Sequence, residues 1–367
     1  MSTQLFLIII ISCLVRFSRC VSYTNFAFGD SVVDAGNNNY LPSLSKANYS
    51  PYGIDFTPTG GKPTGRYTNG FTIVDIVARA LGAKTLPIPS LSSNALSNAI
   101  HGGINYASGA SGILEDTGTL FVARIPLSKQ IDSFERNRGE MVKMMGENGT
   151  QHLLKNAIFS LTTGSNDIIT YFLPNLPFVG NYDFTPTTLQ DTMISNMTLH
   201  LKRLHKLGAR KVVVVDIGPL GCIPFVRDIH FLAPGKCHEE MNTLIQGYNQ
   251  KLRMVVQRLN QEMGFGSIFV YANSYDVIMG MLQNYRSYGF ENVNNPCCGG
   301  SIPPLCFRLG DESEISTSLC EDRSKYLFFD SYHPGQAANF IIAQHMLNGD
   351  ENICSPLNVR QLHYHRL

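Results

Sequence analysis

The 367-residue chain contains no tryptophan and little charge: 16% of its residues, 29 lysines and arginines against 28 aspartates and glutamates. A formal charge of +1 leaves no electrostatic footprint for nucleic acid, so no such partner is expected. No Cys-x-x-Cys spacing or paired histidines accompany the nine cysteines, and Cys297 and Cys298 are adjacent, which argues against zinc. Neither a metal nor an organic cofactor is expected. The apolar run from Leu5 to Val15 is too short to span a bilayer. Internal repeats and linkers are also missing, which leaves one globular domain over residues 21–367.

What is present points to export. The Leu5–Val15 run has signal-peptide length, and Ser18 and Cys20 stand as small residues at −3 and −1 of a cut, so residues 1–20 are expected to leave as a leader. Arg16 and Arg19 follow the run rather than precede it, which keeps a short signal anchor as the competing assignment. Removing those two arginines leaves 27 basic against 28 acidic residues, a charge of −1. Three sequons, at Asn48, Asn148 and Asn196, fit an extracellular glycoprotein. Seven cysteines remain after the leader, all in the second half of the chain from Cys222 onward. That crowding predicts at least two disulfides pinning loops, with Cys354 as the odd thiol and connectivity left open. A secreted, soluble protein without a stable membrane anchor is expected; the oligomeric state is not legible.

Strands and helices alternate along the chain. Tyr23–Phe28, Gly102–Ala107, Ala157–Thr163, Lys211–Ile217 and Ser267–Tyr271 read as five strands, the fourth a β-branched run of the kind buried on both faces. Apolar spacing predicts helices over Phe71–Leu81, Pro126–Met145, Thr187–Leu207, Glu239–Met263 and Gln336–Leu347. Such alternation implies one parallel sheet covered on both faces. A long Pro/Gly/Ser-rich loop runs from Asn37 to Gly70, and an irregular cysteine-rich segment from Asn292 to Cys320.

The chemistry gathers at strand ends. Phe26-Ala-Phe-Gly-Asp-Ser31 puts a serine where the first strand breaks, the edge at which open α/β sheets bind ligands. Val33 replaces the second glycine of a Gly-x-Ser-x-Gly elbow, so that motif is absent. Taken alone, Ser31 reads more readily as a helix cap than as a nucleophile. A serine nucleophile needs a base and an orienting group, and Asp330-Ser-Tyr-His333 supplies both on one turn. A tetrahedral intermediate also needs donors, for which Ser31 N–H, Gly109 N–H and the Asn166 side chain are candidates, each following a separate strand. Singly, Gly109 also reads as a turn glycine and Asn166 as an N-cap.

Gly29-Asp-Ser-Val-Val-Asp-Ala-Gly-Asn-Asn38, Gly65-Arg-Tyr-Thr-Asn-Gly70, Asn105-Tyr-Ala-Ser-Gly109, Gly164-Ser-Asn-Asp167, Leu220-Gly-Cys-Ile-Pro224, Pro296-Cys-Cys-Gly299 and Asp330-Ser-Tyr-His-Pro334, in this order, resemble the plant GDSL esterase/lipase family of the SGNH hydrolases. The resemblance spans about residues 25–347. It implies a three-layer α/β/α sandwich with a five-stranded parallel sheet, Ser31, Asp330 and His333 as catalytic residues, and Ser31, Gly109 and Asn166 as the oxyanion hole. Two departures stand out: Ala110 where the family commonly repeats glycine, and Phe329 where it usually has tryptophan. The expected function is a secreted serine esterase acting on an ester of a lipid, an acylated small molecule or a polysaccharide. An acyltransferase using the same acyl-enzyme and a non-catalytic extracellular binding protein are the alternatives.

Overall fold

The computed structural model describes residues 23–173, 184–300, 306 and 319–367. The proposed leader lies outside them, as does much of the cysteine-rich segment. Seven strands form one sheet: β1 (Asn25–Gly29), β2 (Ile88–Pro89), β3 (Gly103–Asn105), β4 (Ile158–Thr162), β5 (Lys211–Val215), β6 (Ile268–Ala272) and β7 (Cys354–Ser355), in the order β2-β3-β1-β4-β5-β6-β7. The five expected strands make its parallel centre. Two-residue β2 and antiparallel β7 extend it at the edges, too short to carry a periodicity of their own.

All five residues of β5 are buried, as a β-branched run covered on both faces should be. Each buried valine removes enough apolar surface to contribute about 1.5 to 3 kcal/mol. Register carries Gly29, Thr162, Val215 and Ala272 to the same carboxyl edge of the sheet, and the loops leaving that edge build the site.

The helices that matter are α1 (Ile73–Ala80), α2 (Leu127–Asn156), α3 (Ser165–Phe172), α4 (Pro186–Lys206), α5 (Glu239–Met263), α6 (Ser274–Gln283) and α7 (Gln336–Asn348). They pack as two groups, α2, α4 and α5 together and α1, α6 and α7 together, which gives the α/β/α layering. Helix α1 starts at a capping box, Thr72 accepting from Asp75 N and Asp75 accepting from Thr72 N. Helix α2 runs eleven residues beyond the expected Met145, because Gly146 takes φ 75° and ψ 165°, kinks the chain and lets a second helical stretch begin.

Disulfides join Cys222 to Cys237, Cys297 to Cys320 and Cys298 to Cys306, while Cys354 is unpaired and buried. Among the described residues no helix is long and apolar enough to cross a membrane, and no cluster of histidine, cysteine and acidic residues could hold a metal ion. Of the three sequons, Asn48 is exposed in a loop, Asn148 is exposed within α2, and Asn196 is half-buried in α4 with its amide on Thr192 O.

Candidate active site

The turn carrying Ser31 follows β1 directly. Gly29 is required there, since a Cβ on it would lie 2.1 Å from Thr162 O of the neighbouring strand. Asp30 closes the turn: its amide donates to Thr162 O at 3.1 Å, and its Oδ1 accepts from Val32 N at 3.0 Å. Gln130, fully buried on α2, braces the turn from below. Its Oε1 accepts from Gly29 N at 2.9 Å and its Nε2 donates to Gly29 O at 2.8 Å.

Ser31 Oγ stands 2.7 Å from His333 Nε2, although the two residues are 302 positions apart. On the other side of the ring, Nδ1 lies 2.8 Å from both Asp330 oxygens. Asp330 is held in turn by the amides of Tyr332 and His333 on Oδ1 and by the Tyr52 hydroxyl on Oδ2, at 2.9, 2.8 and 2.6 Å. The cysteine-rich segment supports this turn from outside: Cys297 N donates to Phe328 O and Cys298 N to Phe329 O. Phe329 packs against Tyr52 with ring centroids 5.5 Å apart.

At the third corner, Gly109 N donates to Asp34 Oδ2 at 3.0 Å and Gly109 O accepts from Asn38, so in this structure its amide is already committed. Its lack of a side chain serves close packing, since a Cβ would lie 2.2 Å from the Tyr67 hydroxyl. Ala110 lines the cavity beside Ser31 instead, with φ 68°, a left-handed value that explains why glycine suits the position. Among the described residues nothing takes the backbone N–H of Ser31 or of Ala110. Asn166, near the start of α3, gives one amide hydrogen to Ser111 O at 2.9 Å and keeps the other, and it too lines the cavity.

Buried carboxylates lock the three corners together. Asp34 accepts from Gly36, Asn37 and Gly109, and Asp167 accepts from Ile113, Leu114 and Thr117, tying the Ala110 loop to both neighbours. Burial pushes Asp30 up to about 7 and Asp34 up to about 6, in each case against hydrogen bonds that favour the ionised form. Sequence reasoning misses Tyr52, Gln130 and Asp34. Tyr52 and Gln130 take their roles from partners far along the chain, and Asp34 joins its own turn to Gly109, 75 residues on.

A cavity of about 410 Å³ opens from Ser31, His333 and Asn166. Leu120, Phe121, Ile169, Leu173, Ile223 and Phe225 make its walls, and among the described residues lining it Asp30 is the one acidic side chain.

The GDSL-like lipase/acylhydrolase family model matches residues 26–346. A GDSL esterase/lipase of Arabidopsis thaliana is 52% identical over 348 residues, covering 94% of this chain and 94% of the relative. A second from the same plant is 48% identical over 375 residues, covering 99% and 98%, and a third is 43% identical over 346 residues, covering 92% and 87%. With matches of that length across the strand-end loops just described, the chain belongs to the GDSL-like lipase/acylhydrolase family and is thereby placed among the carboxylic ester hydrolases.

Proposed function

We propose that the protein is a secreted serine esterase that hydrolyses esters of apolar acyl groups through an acyl-enzyme on Ser31. The observation that carries this is the pair of contacts on one imidazole, Nε2 to Ser31 Oγ at 2.7 Å and Nδ1 to Asp330 at 2.8 Å. Ser31 Oγ attacks the ester carbonyl as its proton passes to His333 Nε2. The resulting oxyanion takes hydrogen bonds from Ser31 N–H, Asn166 Nδ2 and Ala110 N–H, the last replacing Gly109. Collapse returns the His333 proton to the leaving alkoxide, and the alcohol departs. Water, deprotonated by His333, then attacks the acyl-enzyme, the acid leaves and Ser31 regains its proton.

The apolar walls and the absence of lysine and arginine among the described residues that line the cavity favour an uncharged acyl chain over an acid-bearing one. Export is supported by the leader-like run and by three disulfides, which form in oxidising compartments. Asn48, Asn148 and Asn196 are the glycosylation sites proposed with it, Asn48 and Asn148 being the exposed ones.

The test combines labelling with turnover. An organophosphonate should add its mass to the peptide carrying Ser31 and to no other, and Ser31→Ala and His333→Ala should each abolish hydrolysis of p-nitrophenyl esters. Robust turnover by Ser31→Ala would place the nucleophile elsewhere.

A further inference from the structure

Tyr52 arrives at the site from the loop between β1 and α1, 278 positions before Asp330, and is fully buried. Its hydroxyl lies 2.6 Å from Asp330 Oδ2 and 3.3 Å from the amide of Cys306. Those two partners fix its orientation. An amide can only donate and an ionised carboxylate can only accept, so the phenol takes the Cys306 N–H on a lone pair and aims its own proton at Asp330. Burial, reinforced by the Asp330 charge, holds the phenol well above its ordinary pKa, so that proton stays in place.

The ring cannot turn away. It sits against Tyr49, Phe329 and Tyr67 with centroids 5.4, 5.5 and 6.1 Å distant, and Tyr67 in turn packs 5.1 Å from the His333 ring. Apart from His333, Tyr52 is the one side chain among the described residues that bonds Asp330; the remaining donors are backbone amides of the aspartate's own turn.

We propose that Tyr52 is a positioning residue for catalysis, gripping Asp330 by Oδ2 so that the carboxylate keeps the proton on His333 Nδ1 and the ring aimed at Ser31. This rests on the acyl-enzyme mechanism given above. A carboxylate oxygen that accepts a phenol proton is less basic and has a fixed direction. Without the hydroxyl, Oδ2 keeps only the contact with His333 Nδ1 that it shares with Oδ1, the carboxylate and the imidazole gain freedom, and the less delocalised charge stabilises the imidazolium more strongly. The other ionisable groups facing the pair are Tyr49 and Tyr332 beside Asp330, Tyr67 against the His333 ring, and Asp30 across the nucleophile turn from His333. No described lysine or arginine is paired with either residue.

The experiment is Tyr52→Phe, followed from pH 5 to 9 by kcat and KM on a soluble ester and by the rate of phosphonate labelling at Ser31. A loss of about tenfold in kcat, with KM held and the acid limb of kcat/KM displaced to higher pH, is expected. A role in packing alone would lower Tm and leave that limb where the wild type has it. Wild-type kcat with an unmoved acid limb overturns the proposal. If Tyr52→Phe does not fold, 3-fluorotyrosine introduced at position 52 keeps the hydroxyl and strengthens it as a donor. The acid limb should then move to lower pH, and an unmoved limb again overturns the proposal. Wild-type protein that takes no phosphonate at Ser31 would overturn the acyl-enzyme mechanism itself, whereas normal wild-type labelling beside an unaltered Tyr52→Phe profile overturns only the role of Tyr52.

Discussion

The amide of Gly109 donates to Asp34 Oδ2 at 3.0 Å, and this bond holds the loop in which the next residue, Ala110, lines the cavity. Asp34 therefore shapes the site from behind, without lining it. Replacing it by alanine leaves the amides of Gly36, Asn37 and Gly109 unpaired in a dry interior. Asp34→Ala should lose on the order of 3 kcal/mol of stability in urea denaturation, with kcat reduced more than KM is raised. Wild-type kcat in a folded Asp34→Ala protein would show that the Ala110 loop holds its shape unaided.

Asn166 tests the other side of the same hole. One hydrogen of its amide is committed to Ser111 O, while the rest of the side chain borders the cavity. Asn166→Ala should lower kcat by about 10² to 10³ with little change in KM, because the donor is used mainly on charge that develops in the transition state. A loss confined to KM would return Asn166 to a structural role at the start of α3.

These two residues also mark how far the sequence can be read. Asn166 is visible because a Gly-Ser-Asn-Asp turn after a strand is a distinctive local pattern, and Ser31, Asp330 and His333 are visible for the same reason. At Gly109 the sequence is less decisive: Ser108-Gly-Ala-Ser-Gly112 offers several amides, and that the Gly109 amide is given to Asp34, 75 residues upstream, is legible only in the structure. Tyr52 and Gln130 are invisible because a lone tyrosine or glutamine carries no pattern, and each acquires its meaning from a partner 278 or 101 residues away. The five central strands are legible from composition. Edge strands β2 and β7, two residues each, exist only because a neighbour offers its free edge.

Buried carboxylates give the protein an unusual response to pH. Burial raises Asp30 from 3.8 to about 7, and Asp34 and Asp216 from 3.8 to about 6. Between about pH 4 and 7 the folded chain thus binds more protons at these sites than the unfolded chain, and their contribution to stability falls as pH rises through that window. Lys211, lowered by burial from 10.5 to about 8, acts in the opposite sense but only above that range. Asp30→Asn should flatten the fall in Tm between pH 5 and 8, since the introduced amide cannot titrate and its oxygen can still accept from Val32 N. An unchanged Tm slope in this variant would mean that Asp30 does not titrate in the window.

The cavity wall makes the last expectation quantitative. If the apolar side chains Leu120, Phe121, Ile169, Ile223 and Phe225 receive the acyl chain, each methylene they bury contributes about 0.8 kcal/mol, or roughly a fourfold gain in kcat/KM. A series of p-nitrophenyl esters from acetate to palmitate should climb at about that rate per carbon and turn over once the chain outgrows the roughly 410 Å³ available. Steric control should then be local. Ile223→Trp fills part of the wall and should move the maximum to shorter chains, leaving acetate turnover within a few-fold of wild type because Ser31, His333 and Asn166 are untouched. Acetate as the best substrate of the wild-type protein would separate the two parts of the proposal: Ser31 would remain the nucleophile, and the apolar wall would have to serve the alcohol side of the ester.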